Sequence, residues 1–135
     1  MQEEITIEQA VNTYEGLVEI SKRPFPIKLS YRIAKITNKL EKDYLNFMSH
    51  RFQLFKKYGD PIKDPKGIET YSVDNVSGER REKFEAERKI LLDDTISIEY
   101  EKIPLNLFQD KDHQPELLLE PYLFCKIEWL LDETS

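Results

Sequence analysis

The run PFPIKLSYRIAKITNKL, residues 24–40, limits what this chain can fold into more than any other stretch. Pro24 and Pro26 have no amide hydrogen to donate, and each holds the residue before it in extended backbone, so residues 22–26 predict a short, stiff connector. Beyond it, Ile33, Ile36, Leu40, Tyr44, Phe47, Leu54 and Tyr58 step by three and four positions. Arg51 interrupts the stripe, and Phe52 and Phe55 widen it. The spacing predicts one helix that starts near residues 28–30, is capped by Ser30 and runs to Tyr58. Gly59 is expected to end it in the left-handed conformation. Such a rod is roughly 40 Å long at 1.5 Å per residue. A compact domain of this chain length has a radius of gyration of roughly 14 Å, so part of the rod must project or be covered by a second long element.

The other segments are shorter. Residues 6–21 predict a first helix, with Thr6 and Gln9 in a capping-box pattern and Ile7, Ala10, Val11, Tyr14, Leu17 and Val18 on one face. Gly16, inside that helix, invites a close approach by another segment. Residues 60–73 read as a small hairpin turning at Asp64-Pro65-Lys66-Gly67. Asp74 or Ser77 caps a charged third helix that reaches Asp93 and packs antiparallel on the second. Residues 95–103 alternate, with Ile96, Ile98 and Tyr100 on one side, which predicts a half-buried strand paired with residues 68–73. A polar loop at 109–114 leads to two short helices beginning at Pro115 and Pro121. The fold class expected is α+β, mainly helical: a long helical hairpin, a small antiparallel sheet and C-terminal helices in one domain, residues 1–135.

Several classes of activity are disfavoured. A net charge of −6, from 20 basic and 26 acidic residues, opposes general nucleic-acid binding. Only four glycines are present, which disfavours turn-rich sandwiches, and no glycine-rich phosphate loop occurs. No apolar run is long enough for a bilayer span, and the amino terminus lacks the pattern of a secretory signal. Cys125, the single cysteine, fits a reducing compartment and is expected to be buried as a small hydrophobe.

The stretch Pro26-Ile27-Lys28-Leu29-Ser30-Tyr31-Arg32-Ile33-Ala34-Lys35 is followed by a charged helix ending in Lys57-Tyr58-Gly59. Later come Leu91-Leu92-Asp93, the alternating strand 96–103 and Leu119-Glu120-Pro121. Together these resemble a family of small uncharacterised proteins of tailed bacteriophages and prophages. The resemblance implies a phage product made in the host bacterial cytoplasm, acting through protein contacts there or in the virion. It carries over no active-site residue.

Residue chemistry adds little to suggest catalysis. Asp110, Asp112, His113 and Glu116 are close in sequence, but without a calcium-loop glycine they read as a solvated loop, and no metal or cofactor is expected. His50 has Ser49 beside it in sequence, which on a helix points elsewhere, so a surface histidine is expected. Glu99 and Glu101 share one strand face and read as solvated. Lys28, Arg32, Lys35 and Lys39 share one helix face, extended by Lys22 and Arg23 before it, and are expected to be solvated or paired with glutamates of the third helix rather than with phosphates.

The strongest signal is an apolar surplus on the second helix and at the carboxyl end, more than a slender fold hides. Phe47, Phe52, Phe55, Tyr122, Leu123 and Trp129 are the expected contact residues. The expected role is that of a non-catalytic phage protein, a virion or morphogenesis accessory bound to a phage structural protein or to itself. The alternative is a soluble inhibitor of a host defence or metabolic enzyme.

Overall fold

Thr6 starts the first helix as its side chain predicts: in extended backbone (φ −77°, ψ 158°), its hydroxyl oxygen accepts the Gln9 amide at 3.1 Å. The computed structural model of the chain describes residues 2–63, 65–110, 114–117 and 120–132, with 109–110 and 114–117 described in backbone only. The first elements are β1 (Gln2–Thr6), α1 (Ile7–Ser21), α2 (Ile27–Tyr58), β2 (Asp60–Lys63), β3 (Glu69–Ser72) and α3 (Gly78–Asp93). Then come β4 (Thr95–Glu99), β5 (Ile103–Pro104), a 3-10 turn at Leu105–Phe108, β6 (Gln109–Asp110), β7 (Gln114–Leu117) and α4 (Pro121–Ile127). A 3-10 turn at Glu128–Leu130 and β8 (Leu131–Asp132) complete the described residues. The architecture is α+β and mainly helical, as the sequence predicts. Among the described residues no helix is long and apolar enough to cross a membrane.

α1 and α2 form the central hairpin. The connector between them is anchored as well as stiff: the Phe25 ring meets Phe108 edge-on at 5.7 Å, and Phe108 is fully buried. Pro26, rather than Ser30, precedes the first turn of α2. Its carbonyl accepts the amides of Leu29 and Ser30, both at 3.0 Å, and the Ser30 hydroxyl turns back to the Phe25 carbonyl at 3.3 Å. From α2 the core takes Leu29, Ile33, Ile36 and Leu40. These pack with Leu17, Ile20, Ile98, Ile103, Leu123 and Ile127 in one cluster. Beyond Leu40 no residue of α2 is buried.

The strands differ from expectation in pairing. β4 pairs antiparallel with β1, from Gln2 opposite Glu99 to Thr6 opposite Thr95, and not with residues 68–73. β1 escapes sequence reading because QEEIT holds one apolar residue, Ile5, and that residue is 3% exposed. The alternation from Ile96 to Tyr100 is present, but the strand ends at Glu99, and β5 instead runs parallel to β8. The hairpin of β2 and β3 forms as predicted, with Gly67 at φ +78°, a conformation that favours glycine; Asp64 of its turn lies outside the described residues.

Gly59 ends α2 in extended backbone (φ −89°, ψ 175°), not in the left-handed form. Its small size serves a different need: a Cβ there would fall 2.7 Å from the Ser72 carbonyl oxygen of β3. Residues 114–117 are extended and pair with β6, so the helix expected from Pro115 is absent over them; residues 118–119 lie outside the described ones. The helix expected from Pro121 changes to a 3-10 turn after Ile127. Cys125 is exposed, not buried.

The carboxyl-terminal segment is fixed by Thr13, which is wholly buried. Its hydroxyl donates to the Lys126 carbonyl at 3.1 Å and accepts the Trp129 indole N–H at 2.9 Å. One turn along α1, a Cβ on Gly16 would lie 3.1 Å from Lys126 Cβ, so Gly16 admits the close approach of α4. The Trp129 ring stands edge-on to Tyr100 at 5.1 Å, and the Tyr100 hydroxyl donates to Glu3 at 2.7 Å. Burial, with the Glu3 hydrogen bond and charge added to it, holds the Tyr100 phenol far above its ordinary range.

Two outcomes follow from this arrangement. Thr13→Val is expected to lower stability by about 1–3 kcal/mol, because the indole N–H and the Lys126 carbonyl lose their partner, while Thr13→Ser retains most of it; urea midpoints measure both. Tyr100 keeps its proton when folded but releases it above about pH 10 when unfolded, so its share of stability is intact below that pH and falls as pH rises. Tyr100→Phe is expected to make the alkaline fall in urea midpoint shallower.

Candidate functional site

Where α2 leaves the core, α3 packs beside it and a groove opens between the two helices. α3 runs antiparallel to the distal half of α2, with residues 57–58 against Arg80, Phe84 and Glu87. Phe84 is the only buried residue of α3. Its ring meets Phe55 at 5.6 Å and Tyr58 at 6.3 Å, both edge-on, with the Arg81 guanidinium 5.4 Å above it. After this anchor the two helices leave a groove of about 1070 Å³ between them.

Leu54 of α2 and Ala86, Ile90 and Leu91 of α3 give the groove its apolar lining. Ile90 is 73% exposed and leaves apolar surface open to solvent beside the groove. Lys57 and Glu87 close one end at 2.9 Å, and His50, Asp93 and Asp94 lie at the other. The Glu87 hydrogen bond raises the Lys57 pKa, and the same bond holds the Glu87 carboxyl below its ordinary range. Lys89 is raised likewise by its hydrogen bond to Asp93 at 2.9 Å. Asp94 uses one carboxylate oxygen to accept the Thr95 amide. The rim charges are therefore largely matched within the chain, and what remains to offer is shape and apolar surface.

The residues expected to make contacts divide into two sets. Phe47 is half-buried, Phe52 is 48% exposed and leans edge-on against Tyr71, and Phe55 lies between Phe84 and the Arg51 guanidinium. These three share the distal half of α2. The others pack on α1: Tyr122 is exposed and donates to Glu19 at 2.7 Å, whereas Leu123 is fully buried. Trp129 is half-buried with its N–H already used by Thr13. Leu123 and Trp129 thus belong to this chain's own core, because Thr13 and Gly16 draw the carboxyl-terminal segment onto α1. Sequence reasoning missed Ile90, Leu91 and Leu54 as one surface: Leu54 reads as part of the α2 stripe, and its meeting with Ile90 and Leu91 of α3 is a tertiary fact.

The basic face of α2 does not meet α3. Arg32 donates to the Lys102 carbonyl at 3.2 Å and Lys39 to the Glu99 carbonyl at 2.5 Å, while Lys35 lies 5.5 Å from the Tyr31 ring centre. Before the rod, Arg23 pairs with Glu120 at 2.5 Å. His50, Glu99 and Glu101 are exposed. Of the residues considered for a metal, Asp112 and His113 lie outside the described residues and the side chains of Asp110 and Glu116 are not described. Among the described residues no three His, Cys, Asp or Glu side chains gather to hold a metal ion.

No protein-family model, curated protein or solved structure matches the chain.

The difference between core and groove is measurable. Leu40→Ala is expected to destabilise by about 2–5 kcal/mol, since Leu40 is 1% exposed and its removal leaves a cavity. Leu54→Ala, at a half-buried groove position, is expected to lower stability by less than half as much in the same urea titration.

Proposed function

We propose that this chain is a non-catalytic protein that acts through protein–protein contacts, as a bacteriophage virion or morphogenesis accessory. The observation that carries the contact role is the groove between α2 and α3. Its apolar side chains lie open while its rim charges are satisfied by one another. Such a surface gains most from covering by another apolar surface, because little charge has to be stripped of water in the process. The phage context rests on the resemblance carried by residues 26–35, 57–59 and 119–121.

The paired substitution Leu54→Asp and Leu91→Asp tests this reading, since both residues are partly exposed and a carboxylate can reach water from either. In a bacterium producing the phage, the unaltered chain is expected in mass spectra of purified particles or of assembly intermediates, and the doubly substituted chain, with unchanged circular dichroism, is expected to be lost from them. Absence of the unaltered chain from both fractions overturns the accessory role. A one-to-one host protein held by the unaltered chain and released by the substituted one would move the role to host inhibition.

A further inference from the structure

We propose that α2 pairs with the α2 of a second copy, antiparallel, along the side that faces away from this chain's core. Among the described residues eight large apolar ones are strongly exposed, and four of them are on α2: Ile27 at 87%, Tyr31 at 64%, Leu45 at 56% and Phe52 at 48%. They are not scattered. With Ala34, Asn38, Glu41 and Met48 between them, they recur in alternating steps of four and three from Ile27 to Phe52. That is a heptad seam of nearly four repeats, long enough to mark a helix made for a coiled coil. It is distinct from the core stripe of Leu29, Ile33, Ile36 and Leu40, so α2 carries a second apolar side, which its own chain meets at the Phe52 end through Tyr71 of β3.

The seam identifies its partner by its symmetry. An isologous two-fold contact requires each position to meet one equally far from the axis on the other side. With the axis between Lys39 and Leu40, Ile27 meets the partner's Phe52, and Tyr31 meets the partner's Met48. Small Ala34 meets the large partner's Leu45. At the centre Asn38 meets the partner's Glu41, where the amide N–H donates to the carboxylate. Every large side chain finds an apolar or small opposite number, and the two polar residues find each other. Parallel pairing instead sets Glu41 against the partner's Glu41, two like charges in one layer. The seam spans roughly 38 Å at 1.5 Å per residue. One flank carries Lys35 opposite the partner's Lys42, a like-charge contact at the rim that salt screens.

This inference uses the outer side of α2 and does not depend on the groove. Sedimentation of the full chain, whose monomer mass is 16.1 kDa, is expected to show twice that mass at high protein concentration, with the dimer favoured further as salt rises. Leu45→Asp and Tyr31→Glu, both at exposed positions and with helix content checked by circular dichroism, are each expected to return it to monomer. Orientation is read from Ala34→Cys with Leu45→Cys in a Cys125→Ser background: oxidised chains are expected to be linked between positions 34 and 45. A monomer at every soluble concentration, a dimer indifferent to both seam substitutions, or disulfides joining 34 to 34 overturns the proposal. Leu54→Asp with Leu91→Asp leaves the dimer intact, so failure of the groove reading and failure of this one are separable.

Discussion

Leu40 is where the long helix leaves the core, and most of what is distinctive in this molecule follows from that point. α2 has 32 residues, yet its last buried side chain is fourteen positions in. At 1.5 Å per residue roughly half its length has no core beneath it. A helix in water gains little from its backbone bonds alone and depends on covering an apolar face. The distal half is covered in pieces: Tyr14 stacks on Tyr44 at 4.2 Å, Phe84 meets Phe55 and Tyr58, and Tyr71 leans on Phe52. These are aromatic contacts of one ring against another rather than a closed layer. They pack the rod beside α3 while leaving apolar surface between and beyond them.

The proximal half is built the opposite way, by enclosure. Thr13 and Gly16 shape one face of α1 so that α4 can lie close, and the indole of Trp129 joins that contact to Tyr100 and, through it, to Glu3 on β1. β1 and the segment after α4 are therefore tied to α1 by two hydrogen bonds joined through one edge-on ring contact. A buried hydroxyl with two partners specifies position more sharply than another aliphatic contact would, because losing either partner leaves a polar group without water. The result is a rigid block from which the rod extends.

The sequence discloses periodicity well and long-range pairing poorly. The helix of residues 27–58 is legible because its apolar steps persist for about seven turns, and the hairpin at 60–72 is legible because Pro65 and Gly67 demand a turn. β1 is not, because a two-stranded ladder needs only Ile5 on its core side and leaves glutamates outside. Local sequence predicts a left-handed cap at Gly59, whereas the close passage of β3 at Ser72 is a tertiary fact. The burial of Leu123 and Trp129 is equally non-local, since it depends on Thr13 more than one hundred residues away. The second seam of α2 is present in the sequence but is masked there by Asn38 and Glu41, which read as ordinary surface until exposure separates the two sides.

The groove and the seam lie on different sides of one helix, which bears on what the chain can do as a unit. In an antiparallel pair the two-fold axis falls near Leu40, and each groove is centred about fourteen residues farther along. The two grooves then open at opposite ends, separated by roughly 40 Å along the helix direction. Two identical sites held at a fixed spacing suit a repetitive target, because the second binding event becomes intramolecular wherever the target's repeat matches the span. A shell, tube or sheath built from one subunit presents such a repeat, and a single soluble enzyme does not. The length of α2 beyond Leu40, superfluous to the core, is what sets that spacing.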